Sequence, residues 1–235
     1  MASTQTPTSK VFFAVSMSLD GYIAPAGMDL EHADDPSYKD WGRQWAALQS
    51  WVFPQRFFRE NLNLGEGGET GPDNDMARGV FERTGVSILG KRMFDGGERF
   101  WPEQAPFHTP VFVVTHTRRA PWERPGGTTF HFVNDGIESA LARARTAAAG
   151  RDIRIGGGAD LIQQYLNAGL VNEFTISITP VILGEGTRLF DCIELGQVGL
   201  EVIDTVPSPR VTHLRYAVSR RSAVVPHSAR PAGEG

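Results

Sequence analysis

Short apolar runs alternate along this chain with segments whose apolar residues recur at helical spacing. Val11–Ser16 (VFFAVS), Val86–Leu89 (VSIL), Val111–Thr115 (VFVVT) and Ile153–Ile155 read as buried strands. Thr129–Val133 (TFHFV) alternates with period two, and Glu173–Ile178 (EFTISI) predicts a further strand. Gly199–Val206 and Val211–Ser219 flank Pro207-Ser208-Pro209, a turn between antiparallel strands. Ile137, Leu141 and Ala144 make a helical stripe over Gly136–Ala149. Asp135 and Glu138 fit a capping box at its start, and Gly150 fits the position after its end. A second helix, Ala159–Ala168, carries Leu161, Ile162, Tyr165 and Leu166 on one face and closes at Gly169. This alternation predicts an α/β domain. Its central sheet is mostly parallel, with helices on both faces and an antiparallel hairpin at the C-terminal edge.

Residues 28–80 interrupt the pattern. Trp41, Trp45, Leu48, Trp51 and Val52 recur at helical spacing and predict a helix near 38–60. Asn61–Asp75 (NLNLGEGGETGPDND) reads as a long loop at the mouth of a pocket. The tryptophans imply apolar surface that needs cover, from the core or from a partner. Residues 1–9 and 221–235 are rich in Ser, Thr, Pro, Ala and Gly without periodicity and read as disordered tails. One domain over 10–220 remains, with 28–80 as an insertion.

Composition narrows the partners. The 235 residues are 40% hydrophobic, enough for a full core, and the net charge of −4 comes without a basic block. Nucleic acid is therefore not an expected partner. The single cysteine, Cys192, cannot form an internal disulfide and fits a reducing compartment. No run approaches the roughly 20 apolar residues of a spanning helix. The opening MASTQTPTSK lacks the apolar run of a signal peptide. A cytoplasmic protein without a membrane partner is the expectation.

The chemistry concentrates where strands meet glycines. Ile153–Ile155 runs into Gly156, Gly157 and Gly158, and a helix pattern follows at once. Strand, glycines and helix bring bare backbone N–H groups and a helix N-terminus up to a phosphate. Gly90 likewise ends a strand, and Lys91 and Arg92 follow at a helix start. Cations at such a place suit a pyrophosphate or a 2′-phosphate. Thr115, His116, Thr117 and Arg118, with Arg119 beyond, sit just past another strand. The alternative for these cations is a solvated surface cluster. Among the acids, Asp20 in SLDG is the better placed for catalysis, and its alternative is an Asp-Gly turn. Glu31, Asp34, Asp35 and Asp40 are also eligible, and Glu185 lies in the LGEGT loop.

Four segments, in this order and spacing, resemble the dihydrofolate reductase-like superfamily. They are SMSLDGYIA (Ser16–Ala24), SILGKRMFD (Ser87–Asp95), FVVTHTRR (Phe112–Arg119) and RIGGGADLIQQYLNAGLVNEFTISITPVILGEGTRLF (Arg154–Phe190). The likeness covers about residues 10–220. It is nearest to the branch named for the C-terminal reductase domain of the bifunctional riboflavin-biosynthesis deaminase-reductase. It implies NADPH as hydride donor. The cofactor would be held by Gly90, Lys91, Arg92, Met93, Thr115, His116, Thr117, Arg118, Gly156, Gly157, Gly158, Ala159, Asp160 and Leu161. Met93 stands where the family commonly has threonine. The resemblance puts Ser18, Asp20 and Glu185 on the substrate side, with Asp20 as the candidate catalytic acid. It also implies a homodimer and a cis Gly156–Gly157 bond. The nearest named activity is 5-amino-6-(5-phosphoribosylamino)uracil reductase, acting here on a small heterocyclic or carbonyl/imine substrate. The deaminase half, with its zinc-ligand pattern of H-x-E and a following P-C-x-x-C, is missing, so no metal is expected. Three alternatives stay open: a dihydrofolate reductase, a non-catalytic nucleotide-binding sensor or paralogue, and a flavin-dependent protein on the same glycine platform.

Overall fold

The structure, a computed structural model, describes residues 9–29, 38–194 and 198–220. The expected tails at 1–8 and 221–235, and the acids Glu31, Asp34 and Asp35, lie outside the described residues. The chain runs β1 (Val11–Met17), β2 (Tyr22–Pro25), α1 (Tyr38–Leu48), α2 (Arg56–Asn61), α3 (Pro72–Arg83), β3 (Thr84–Gly90) and α4 (Lys91–Phe100). It continues with β4 (Val111–Val114), β5 (Trp122–Arg124), β6 (Thr128–Val133), α5 (Ile137–Ala147), β7 (Asp152–Gly157) and α6 (Ala159–Asn167). β8 (Glu173–Ile178), β9 (Gly186–Arg188), β10 (Val198–Pro207) and β11 (Thr212–Arg220) complete it. Nine strands form one sheet in the order β10-β11-β8-β1-β7-β3-β4-β6-β5, and β2 pairs with β9 in a small second sheet. From β8 to β6 all neighbours are parallel; β10, β11 and β5 are antiparallel at the edges.

Both faces of the parallel strands are covered, and one of them is apolar throughout its core. On one face α5 and α6 pack over Val11, Phe13, Val86, Ile88, Ile153 and Ile155. Phe13 stacks on Phe174, with centroids 4.7 Å apart. The other face is divided. Over β3, β4 and β6, Phe94 of α4 meets Trp101, Trp122, Phe130 and Phe132 at 5.1–6.2 Å between ring centroids. Over β1, β8 and β11, the sheet presents Ser16, Glu173, Thr175, Ser177 and His213, all buried. The α1–α3 segment covers this polar half.

Three local expectations change. The helix expected near 38–60 is two helices: α1 ends at Leu48, and Pro54, which lacks an N–H, stands in the turn before α2. The expected loop at 61–75 ends early, at Gly71. Pro72 occupies the first turn of α3, with Asp73 and Asp75 beside it and Arg83 in the last turn, which favours a helix. The rest of that loop is tied to α2 by Arg56 N–H to Glu69 O and Glu69 N–H to Pro54 O, each 2.8 Å. The capping box at Asp135 does not form. Gly136 takes the cap position, so Asp135 lies one residue too early; its carboxylate accepts from Ser139 Oγ (2.8 Å) and Arg143 (2.9 Å). Trp41 and Trp51 are buried within the chain, while Trp45 is half-buried with its ring against Phe53.

Side chains from the insertion satisfy the polar half-face. Arg83 reaches Glu173 (2.7 Å) and Asp152 (2.7 Å), and Lys10 and Arg215 also pair with Glu173. Burial pushes the Glu173 carboxyl up, but the hydrogen bonds from Lys10 and Arg83 outweigh it and hold the group at about 2. Trp51 Nε1 donates to Ser16 Oγ (2.9 Å), which donates to Gln49 Oε1 (2.9 Å). The Trp51 ring meets His213 edge-on at 4.7 Å. His213 bridges Ser177 Oγ at Nδ1 (2.8 Å) and Asp73 Oδ1 at Nε2 (3.2 Å). Ser208 Oγ donates to the other Asp73 oxygen (3.0 Å).

Burial lowers the basicity of His213 more than Asp73 restores it, so the imidazole is neutral in the fold. Its Nε2–H then donates to Asp73 and its Nδ1 accepts from Ser177. A folded-state pKa below the ordinary value of 6.5 means that the unfolded chain binds the proton more readily. Stability is therefore greatest above pH 6.5 and falls as pH drops toward the folded value. Denaturant titrations between pH 7.5 and 5 should show this slope in the wild type and a flatter one in His213→Gln. Asp73→Ala should cost about 1–3 kcal/mol at neutral pH, because it strips the acceptor from buried donors.

Candidate functional site

The sheet topology puts four strand ends at one edge. β1, β7, β3 and β4 are parallel neighbours, with Leu89 opposite Gly157 and Gly90 opposite Val114. The crevice beyond the carboxyl ends of parallel strands is where open α/β sheets bind ligands. A helix begins at once after each of the two central strands: α4 after Gly90 and α6 after Gly158. Both cap positions are glycines, which bring no side-chain cap among the described residues, and a helix N-terminus of this kind suits an anion. A Cβ built at Gly90 would lie 3.6 Å from both Gly157 O and Gly158 N, so the two helix starts are adjacent.

The glycines keep this edge bare. Gly157 has φ +115°, which an L side chain rarely adopts, and a Cβ at Gly157 or Gly158 would meet nothing within 4 Å. A Cβ at Gly156 would lie 2.5 Å from Leu89 Cδ2, so the Leu89 side chain fills that space instead. The cis bond is Gly157–Gly158, one residue later than expected. β7 runs on through Gly157, so the glycine pair that turns into the helix is shifted by one position.

The expected cofactor residues divide by role. Lys91, Arg92 and Met93 are exposed on the first turn of α4, and Lys91 pairs with Asp95. Ala159 and Leu161 turn their side chains into the core, so they offer only backbone; Asp160 is exposed. Thr115 is buried, and its Oγ1 accepts from Thr117 N–H (3.0 Å). Asn134 Nδ2 clamps the carbonyls of Thr115 (2.9 Å) and Thr117 (3.0 Å). Thr115 thus shapes this turn, and His116, Thr117 and Arg118 are exposed on it. An open cleft of about 630 Å³ lies alongside, lined by Arg118, Arg119, Ala120, Phe132, Asn134, Asp135 and Arg143. Arg119 is held away from a ligand role. Its two Nη atoms grip Glu98 (2.9 and 2.6 Å), and its guanidinium lies over Phe94, Trp122 and Phe132.

The substrate-side expectations fare differently. Ser18 is fully buried; its Oγ donates to Asp20 Oδ1 (2.6 Å) and accepts from Tyr22 N–H (2.9 Å). Asp20 also accepts from the backbone N–H of Leu183 (3.2 Å) and Gly184 (2.7 Å). The hydrogen bond from Ser18, aided by those amides, holds its carboxyl at about 2. Asp20 is thus ionised throughout the neutral range and has no proton to give. It latches the turn after β1 to the 181–185 loop, and this corrects its expected role as a catalytic acid. Glu185 is exposed on that loop, and Asp40 is exposed beside Arg43 on α1.

Sequence reasoning missed Arg154. It lies on β7, beside Phe12 of β1 and Ser87 of β3 in register, with its guanidinium over the Phe81 ring of α3 at 4.8 Å. Its place in a strand pattern hid it, since the glycines two residues on drew the attention.

The comparisons with known proteins agree with this geometry. The family model described as the RibD C-terminal domain matches residues 9–214. Two Bacillus subtilis (strain 168) proteins with no assigned role match in part. YyaP is 43% identical over 75 residues, 32% of this chain and 38% of its own length. YwjB is 37% identical over 59 residues, 25% of this chain and 33% of its own. The matches thus span about a third of these relatives. Among solved structures, a Shewanella sp. PV-4 chain described as a candidate riboflavin biosynthesis protein superposes with TM-score 0.59 at 21% identity, covering 90% of this chain and 99% of that one. The Thermotoga maritima deaminase/5-amino-6-(5-phosphoribosylamino)uracil reductase gives 0.55 at 13%, covering 89% and 56%. Enterococcus faecalis dihydrofolate reductase, complexed with NADP(H), gives 0.51 at 13%, covering 92% and 98%. At these identities the structures share the fold, and the match along most of the sequence settles the rest: the chain belongs to the RibD C-terminal domain family and has the dihydrofolate reductase-like fold of its reductase domains.

Proposed function

We propose that this protein is an NADPH-dependent reductase that passes hydride to a small heterocyclic or carbonyl/imine substrate, in the manner of the riboflavin-pathway reductases. One observation carries the reading: two helix N-termini with glycine at the cap, Gly90 and Gly158, stand on adjacent strands with open space at Gly157 and Gly158. That arrangement fits a pyrophosphate, whose two charged groups need two clusters of N–H donors. The NADP(H) complex of the Enterococcus enzyme, which shares the fold, supports the same cofactor. A bound nicotinamide supplies the hydride, and the chain's part is to position it and exclude water. Gly90, Gly157, Gly158 and the first turns of α4 and α6 hold the pyrophosphate, with Arg92 alongside. His116, Thr117 and Arg118 face the 2′-phosphate from the turn that Thr115 and Asn134 hold. The Asp20 latch fixes the 181–185 loop at the substrate side.

NADPH should bind at least about tenfold more tightly than NADH, since one charge-assisted contact to the 2′-phosphate is worth about 1.5–3 kcal/mol. Enhancement of nicotinamide fluorescence measures both affinities; equal values would sink the proposal. Gly158→Ala is the sharper variant. Gly158 has φ −78°, which alanine tolerates, and no neighbour lies within 4 Å. The melting temperature should hold, while NADPH binding weakens because the methyl enters the ligand's space.

We also propose a homodimer built on β10. This strand ends the sheet, and Leu200, Val202 and Ile203 on it are 49%, 56% and 44% exposed. A long apolar edge of this kind invites pairing with a second copy. Light scattering at micromolar concentration should give twice the chain mass, and Val202→Lys should give a monomer.

A further inference from the structure

The open cleft past β4 and β6 holds an acid and a base in contact. Asp135 and Arg143 both line it. Asp135 lies two residues beyond the end of β6, displaced from the cap of α5, and Arg143 stands on the second turn of that helix. One guanidinium nitrogen of Arg143 lies 2.9 and 3.2 Å from the two Asp135 oxygens. Its other nitrogens make no hydrogen bond to a described residue, so its fork is mostly unused. Arg119, on the same cleft, has both Nη atoms on Glu98. Arg118 makes no hydrogen bond or ion pair to a described residue. The side chains of Arg143 and Asp135 are 51% and 57% exposed, and an exposed pair holds weakly enough to rearrange around a ligand. The hydrogen bond from Ser139, with Arg143 adding to it, keeps the Asp135 carboxyl below the ordinary carboxylate range. Asp135 is therefore a full negative charge at neutral pH.

The position says what the pair would meet. Gly90, Val114 and Val133 stand level on β3, β4 and β6. Two strand spacings, about 10 Å, separate Gly90 from the end of β6. A pyrophosphate across the starts of α4 and α6 thus leaves the nucleoside end of a dinucleotide to run past the 115–118 turn and into the cleft. An acid at such a place accepts a hydrogen bond from the ribose 2′-hydroxyl of NADH, and an arginine accommodates the 2′-phosphate of NADPH. This chain carries both, and one holds the other.

We propose that the Asp135–Arg143 pair sets the choice between NADPH and NADH. Arg143 neutralises Asp135 and turns its free N–H groups on the 2′-phosphate, which Arg118 meets from the 115–118 turn. Without Arg143 the bare Asp135 carboxylate repels the 2′-phosphate and accepts from a 2′-hydroxyl instead. This rests on the cofactor reading above and assigns its specificity to a helix that no glycine motif marks.

Cofactor titrations of the full chain test this, with NADPH and NADH followed by nicotinamide fluorescence at constant ionic strength. Arg143→Gln should weaken NADPH at least about tenfold while NADH binds as well as before or better, with the melting temperature unchanged. Arg143→Lys, which keeps the charge but loses the fork, should fall between, and it decides the matter if the glutamine variant does not fold. Adding Asp135→Asn to Arg143→Gln removes the repelling acid, so NADPH should regain part of the loss. Calorimetry with 2′,5′-ADP, which carries the 2′-phosphate without the nicotinamide, should show the same order of affinities. An NADPH-to-NADH ratio in Arg143→Gln equal to that of the wild type overturns the proposal. So does a double variant no better than the single one, or a loss seen with NADPH but not with 2′,5′-ADP. If the wild type binds the two cofactors alike, or neither, the cofactor reading itself fails and this assignment falls with it. A wild type that prefers NADPH beside an unchanged ratio in the variants leaves that reading standing and removes only the role of the pair.

Discussion

The architecture depends on one constraint: half of a sheet face is polar and yet must be buried. Ser16, Glu173, Ser177 and His213 lie in neighbouring strands, where apolar residues would ordinarily pack. A buried polar group without a partner costs more than its hydrogen bond returns, so whatever covers this half must bring complementary groups. The 38–83 segment does so with Arg83, Asp73, Gln49 and Trp51. Its docking is therefore set by matched donors and acceptors, and only secondarily by the small apolar contact among Trp51, Ala77 and Val211.

The other half of the same face is governed by a different rule. Phe94, Trp101, Phe130 and Phe132 make an aromatic block on which α4 packs, and the Arg119 pair with Glu98 fastens the helix from outside. The two covers thus meet the sheet on either side of β7 without competing for it. β7 itself carries Arg154 and runs into the glycines from which α6 starts.

Much of this was legible in the sequence. The strands of the parallel sheet, α5, α6 and the C-terminal hairpin followed from apolar runs and glycine stops, and the glycine edge from its motif. What was not legible depended on contacts distant along the chain. α3 was hidden because its start, Gly71-Pro72-Asp73, looks like the end of a polar loop; the buried partners of Asp73 lie 135 and 140 residues away. Asp20 resembled a catalytic acid until the amides of Leu183 and Gly184, more than 160 residues on, were seen to consume it. Arg154 resembled an ordinary outward-facing strand residue, since nothing local says that the face it points to is covered. The short strands β2, β5 and β9 carry too few residues for a period to show.

The contact between Leu89 and Gly156 ties two positions in different strands to a single volume. Either can grow only if the other shrinks, so the surface between the starts of α4 and α6 can be recontoured by paired exchange while the backbone there stays still. A lineage could in this way reshape this edge through two substitutions without moving a strand.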